Sequence, residues 1–308
     1  MCTLKLYVLF LCTVLCQSIF GQEIKQRTES ARNYELPFQL TESNNLSVQA
    51  ILNEIDTINL MVHTAANSVT LTEEAIQKLK SLKFAGTDSV KSWGGGGNSS
   101  RFSNGNTLQI GELKWEDVSI WENKNSGPKT DGKFGIDLFA NKIIEIDFEK
   151  KLLTLYNSLP AKAATFEKLN LTNENGNLFL VAGCEIGGQL FRNKFLLHSG
   201  YSGTILLDDK FTDESKIDEK VKIIAEKELK DSFGNLLKTK RGILPSFSIG
   251  SVKLSNVPVG FFKGAIGRQK MSIIGGDLLK RFTLLIDSQA GSIYLKRNNL
   301  AKVEYANS

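Results

Sequence analysis

The chain has 308 residues, 41% hydrophobic and 23% charged, which is enough apolar content to bury a sizeable core and too much for a disordered chain. Its net charge of +5 comes from 38 basic and 33 acidic residues spread along the sequence. Without a dense Lys/Arg run there is no footprint for nucleic acid or an anionic lipid surface, and no nucleic-acid partner is expected.

Lys5 precedes an apolar stretch from Leu6 to Phe20, and Gly21 supplies a small residue at which a signal peptidase can cut. Residues 1–21 therefore read as a signal peptide, with the mature chain beginning near Gln22 and a secreted or periplasmic location. A membrane anchor is the competing reading. The apolar run is broken by Cys12, Thr13, Cys16, Gln17 and Ser18, whereas spanning needs roughly 20 apolar residues, so no stable membrane span is expected in the mature chain. Cys16 raises lipid attachment as a further reading, opposed by the bulky Leu15 before it. Removal of the leader leaves Cys184 as the one cysteine, so disulfides do not hold the fold.

From Tyr34 onward the segments are short and apolar or alternating. They include Tyr34–Leu40, Ile143–Phe148, Leu152–Tyr156 and Ser292–Leu295, separated by Asn, Gly, Asp and Lys turns. This is an all-β pattern. Helix signals are few: Thr70 with Glu73 makes a capping box ahead of Ala75–Leu79, and the Lys- and Glu-rich stretch from Glu214 to Lys230 gives a weaker one. The run Gly94–Ser100 reads as a mobile loop or flap within the first half. It lacks the Lys-Ser/Thr and the strand-to-helix setting of a phosphate-binding loop. Trp93, Phe102, Trp115 and Trp121 nearby are core candidates first and cleft candidates second.

The two halves echo each other. Leu60-Met61-Val62-His63-Thr64 matches Phe195-Leu196-Leu197-His198-Ser199, Leu108-Gln109-Ile110-Gly111 matches Phe247-Ser248-Ile249-Gly250, and Phe134-Gly135-Ile136-Asp137-Leu138 matches Ile274-Gly275-Gly276-Asp277-Leu278. The offsets are 135, 139 and 140 residues, in the same order, which marks a tandem duplication. The boundary between halves falls in 159–164, giving lobes of 22–160 and 161–308.

These anchors resemble the pepsin/retropepsin-like aspartic peptidases, in which each lobe carries a strand ending in Asp-Thr/Ser-Gly and, later, two hydrophobic residues and a glycine that thread beside it. Phe195 to Thr204 and Ser272 to Leu279 are the most specific elements. The resemblance implies an all-β, two-lobed acid-protease fold, each lobe a small β-barrel with few short helices, and an interlobe cleft for peptide or protein. It implies no cofactor. It places His63 and His198 at the positions of the catalytic aspartates, with Thr64, Ala65, Asn67, Ser199, Gly200, Ser202 and the threading Gly135 and Gly275 around them.

His63 and His198 are the only histidines in the chain. Two carboxylates in contact share one proton, so that one acts as base and the other as acid. Two imidazoles cannot reproduce that net charge of minus one, and the acid-protease mechanism is expected to be absent. Ala65 stands where the motif has glycine and Asn67 where it has an orienting hydroxyl; an alanine is costly there if the backbone needs positive φ or a close approach. Thr64 and Ser199 keep the hydroxyls by which the two motif loops brace each other. Asp137 and Asp277 are expected to face outward or cap turns.

Three readings of the pair remain. The histidines are satisfied polar residues in a disused, peptide-binding site; they are two ligands of a Zn²⁺ or Cu²⁺ site whose other members are not evident, as metal sites want three or four protein ligands; or one acts as base and the other as acid in hydrolysis.

Overall fold

The structure, a computed structural model, describes residues 32–91, 97–230, 236–262 and 269–306. The leader, Trp93 and Gly94–Gly96 lie outside them. Gly97 onward, read as loop, is instead the start of a strand, Gly97–Ile110, that returns from Gly86–Lys91 in a hairpin.

Two eight-stranded sheets repeat one topology. In the first half the strand order is Gln39–Leu40, Leu46–Leu52, Asp56–His63, Gly132–Gly135, Val69–Thr72, Leu113–Asn123, Gly97–Ile110 and Gly86–Lys91. The second half runs Thr172–Glu174, Asn177–Ile186, Gln189–His198, Ser272–Gly275, Ile205–Leu206, Val252–Phe261, Leu236–Ile249 and Ile223–Lys230. Each sheet curls back on itself through one extra pairing, Ile51 with Gln109 and Ala182 with Ile249. The periodicity of the sequence explains the curl: Val48, Ala50 and Leu52 are buried while Gln49 and Ile51 are exposed, so alternate side chains fill the barrel.

A third, six-stranded sheet is built by both halves in the order Tyr34–Pro37, Leu152–Tyr156, Ile143–Asp147, Phe282–Asp287, Ser292–Arg297 and Glu167–Asn170. The halves meet in its middle, where Ile144 pairs with Ile286 and Ile146 with Leu284, antiparallel. All four are at most 4% exposed and belong to one apolar cluster that includes residues of both barrels. The chain passes from one half to the other through a short 3₁₀ turn, Ala161–Thr165.

Helices are few and short, and two expectations need correction. The capping box belongs to Thr72, whose hydroxyl accepts from the Ala75 amide at 3.1 Å, because Thr70 is held within the strand Val69–Thr72. The stretch from Glu214 to Lys230 is not one helix. It ends a helix (Asp209–Ser215), makes a single turn at Ile217–Lys220 and then runs as the strand Ile223–Lys230. That strand pairs antiparallel with Leu236–Ile249, and sheet pairing overrides helix propensity there.

Since the core is continuous across the shared sheet, Ile286→Ala should lower unfolding free energy by about 2–5 kcal/mol and leave a single transition. Denaturant unfolding followed by tryptophan fluorescence and circular dichroism would show this, and two separated transitions would contradict a shared core.

Candidate functional site

His63 ends the strand Asp56–His63 and His198 ends Gln189–His198. Each strand pairs in parallel with a short later strand, so that His63 lies beside Gly135 and His198 beside Gly275. The glycines are required by close approach. A Cβ on Gly135 would stand 1.9 Å from the Ala66 carbonyl oxygen, and one on Gly275 would stand 2.3 Å from that of Gly203. Two barrels built alike thus deliver two loops, 63–67 and 198–202, to a common centre.

Four hydrogen bonds tie the loops together in reciprocal fashion. The Thr64 amide donates to Ser199 Oγ at 3.0 Å and the Ser199 amide donates to Thr64 Oγ1 at 3.0 Å. The Thr64 hydroxyl donates to the Leu197 carbonyl at 2.6 Å, and the Ser199 hydroxyl to the Val62 carbonyl at 2.7 Å. Both residues are 1% exposed, so each bond lies in a low-dielectric setting where leaving a partner unmet is costly.

This brace brings the imidazoles into edge-to-face contact, ring centroids 4.5 Å apart and planes inclined by 62°. His63 Nδ1 accepts from the Ala65 amide at 3.2 Å, which leaves Nε2 to carry the proton of the neutral ring. Its ring lies over Gly200, where a Cβ would come within 2.3 Å of Cδ2 and Nε2. His198 Nδ1 is buried and has no partner among the described residues.

Burial depresses both imidazoles. His63 is held well below the usual histidine range by loss of solvent first, then by His198 and by the Lys133 ammonium. His198 is lowered to about 4 by burial and by Lys133. Both rings are therefore neutral at neutral pH.

The other residues singled out in the sequence take varied places. Ala65 is outside the left-handed backbone region, and its methyl packs against the apolar cluster of Phe179, Leu196, Leu206, Phe262 and Ile273, so the cost feared for an alanine there does not arise. Asn67 donates across to the Asn175 carbonyl at 3.2 Å. The Ser202 carbonyl accepts from Asn44 Nδ2 at 3.0 Å. Asp137 is exposed. Asp277 does not face outward: it is fully buried, ion-paired to Lys280 Nζ at 2.7 Å, and accepts from the Ala306 amide at 2.9 Å, pinning the C-terminal segment. Trp115 donates its indole N–H to the Leu138 carbonyl and packs on Phe139 in the core. Trp121 stacks with Phe102, centroids 5.2 Å apart.

Four contributors escaped the sequence reading. Asn44 and Asn45 sit on a turn of the first half, and Asn45 Nδ2 donates to the buried Ser199 carbonyl at 2.9 Å. Asn175 on the matching turn of the second half receives Asn67, and both Asn44 and Asn175 have positive φ. Lys133, two residues before Gly135, was legible in principle because its counterpart in the repeat is Ile273. Among the described residues no group of three or more His, Cys, Asp or Glu side chains is arranged to hold a metal ion.

No protein-family model matches the sequence, and no curated protein matches it. Among solved structures, the crystal structure of the aspartic proteinase from Irpex lacteus is similar over 88% of this chain and 99% of that one, with a TM-score of 0.57 at 12% identity. At that identity the likeness shows the fold: the chain has the two-lobed, all-β architecture of the pepsin-like aspartic proteinases.

The depressed imidazoles set a pH dependence. The unfolded chain takes up protons on these rings below about pH 6.5, and the folded chain does so on His198 only near pH 4. Stability from this source is complete above pH 6.5 and is lost as pH falls through that window. Urea midpoints measured across it should fall less steeply for His63→Gln/His198→Gln than for the natural chain, and equal slopes would refute the buried, neutral assignment.

Proposed function

We propose that the protein is a catalytically altered pseudopeptidase, exported by its leader to a secreted or periplasmic location, that holds an extended peptide or protein segment in the interlobe cleft without cutting it. The observation that carries this reading is the His63–His198 pair, two neutral imidazoles with ring centroids 4.5 Å apart at the braced centre of a pepsin-like fold. On this reading they stand where the family places its acid pair.

Peptide hydrolysis by such a centre needs one group to take a proton from water and another already protonated to meet the developing oxyanion. Two imidazoles depressed by burial offer bases and no acid at neutral pH. Protonating one builds a cation against the other and against Lys133, so the pair resists the state hydrolysis requires. The same charge opposes a divalent metal ion, and two imidazoles fall short of the three or four ligands such an ion wants.

Binding needs none of this. A cleft of this fold grips an extended peptide through backbone hydrogen bonds and side-chain pockets. Each barrel sheet ends on a hairpin strand, Gly86–Lys91 and Ile223–Lys230, whose outer edge is unpaired within its sheet among the described residues.

The test is purified protein against an extended-peptide library, scored for binding by fluorescence anisotropy and for cleavage by mass spectrometry from acid to alkaline pH, with and without Zn²⁺. The expected outcome is binding without cleavage and no rise in melting temperature with Zn²⁺. Efficient cleavage abolished by His198→Ala, or a tight metal complex lost in His63→Ala, would move the protein to the alternative of a His-based or metal-assisted hydrolase.

A further inference from the structure

The duplication makes each lobe a control for the other. Along the paired strands that carry the histidines, side chains alternate between the barrel core and the opposite face, on which the two imidazoles meet. In the first lobe Val62 and Phe134 enter the core, both 0% exposed. Met61, His63 and Lys133 share the other face, since Met61 pairs with Lys133 and His63 with Gly135. Thr70 joins them by pairing with Lys133, and Trp121 extends the row by pairing with Thr70.

In the second lobe the same register gives Leu196, His198, Ile273 and Leu206. Leu196, Leu206 and Ile273 close with Phe179 and Phe262 into a dry apolar cluster. Where the second lobe has Ile273 and Leu206, the first has Lys133 and Thr70. Thr70 is 6% exposed and its Oγ1 has no hydrogen-bond partner among the described residues, a condition that costs a buried hydroxyl about 1–3 kcal/mol. Lys133 shares the strand face of His63 and pairs with both Met61 and Thr70, and its positive charge disfavours protonation of both imidazoles. On the far side Arg241 lines a pocket with Tyr201 and Ser202, beside the His198 loop.

We infer that Lys133, Thr70 and the His63–His198 pair form a carboxylate-binding site on the first-lobe wall of the cleft, and that the peptide held there presents an acidic group to it. This rests on the peptide-binding reading and specifies the ligand. A carboxylate has acceptor oxygens for the hydroxyl, for the His63 Nε2–H and for the ammonium. An Asp or Glu side chain and a free chain terminus share this chemistry.

The experiment uses the full purified chain and matched labelled peptides in which Glu replaces Gln at successive positions, all C-terminally amidated, with a parallel Gln set ending in a free acid. One register of Glu should bind about tenfold or more tightly than Gln, the gain expected of a partly buried, charge-assisted contact. That preference should collapse in Lys133→Ile, which installs the second lobe's residue, and in Lys133→Gln, with melting temperatures confirming that both variants fold. A gain confined to the free-acid set would assign the site to a chain terminus. Equal binding of all sets by the natural protein would overturn the carboxylate site and leave the peptide reading standing. If no peptide binds, the peptide reading fails, and the site is then judged by NMR of the chain's two histidines during titration with succinate. Ring shifts lost in Lys133→Ile would sustain it, and their absence in the natural protein would overturn it.

Discussion

Thr64 and Ser199 each place a hydroxyl on the other's backbone amide and donate to a carbonyl of the other's strand. The fold converges on this exchange. Two barrels can be made independently from two copies of one sequence pattern, but nothing in either barrel fixes where its motif loop lies relative to the other. The exchange does so by pairing four buried polar groups that would otherwise be unmet, so slippage of one loop against the other breaks several bonds together. Asn45 adds a fifth tie, and the sheet joined at Ile144 and Ile286 clamps the same two lobes from below.

Contact between the histidines follows from that geometry and not from attraction between them. Two neutral imidazoles edge to face are tolerated, but a proton on one is opposed by its partner, by lost solvent and by Lys133. The centre therefore does not hold at neutral pH the shared-proton, singly negative state of an acid pair. Thr70 Oγ1 and His198 Nδ1 are buried there without a hydrogen-bond partner among the described residues.

Much of this was legible because duplication repeats constraints as well as sequence. The glycines at 135 and 275 recur because a backbone carbonyl passes within the space of a methyl group at both, and the histidines recur at the ends of equivalent strands. What escaped was set by partners distant in sequence. Nothing near Ile144 announces that it pairs with Ile286, and Asn45 looks like an ordinary turn residue until Ser199 arrives beside it. Thr70 was taken for a cap because its spacing to Glu73 is right, but pairing with Lys133 holds it in a strand. The charged stretch ending at Lys230 has helical composition, yet a hairpin partner rewards an extended backbone there. Asp277 gave no sign of burial because its cations, Lys280 and Arg281, follow it at spacings that also suit an exposed helix face.

The two copies diverged where symmetry was free to break. Exchange partners such as Thr64 and Ser199 are locked to each other and remain near-equivalent, whereas the wall beside them is not bound by reciprocity. There the second lobe closes an apolar cluster, with Ala65 of the first lobe packed against it, and the first lobe carries Lys133 and Thr70 on the matching strands, the Thr70 hydroxyl without a partner among the described residues. The loop glycine follows the same logic. Gly200 is needed because the His63 ring occupies the volume of its missing side chain, whereas Ala65 faces the filled cluster and gains contact from its methyl. A symmetric centre would demand the same residue at both positions. The inequality of Ala65 and Gly200 therefore follows from what each position faces, a packed apolar cluster at the one and the partner lobe's imidazole at the other.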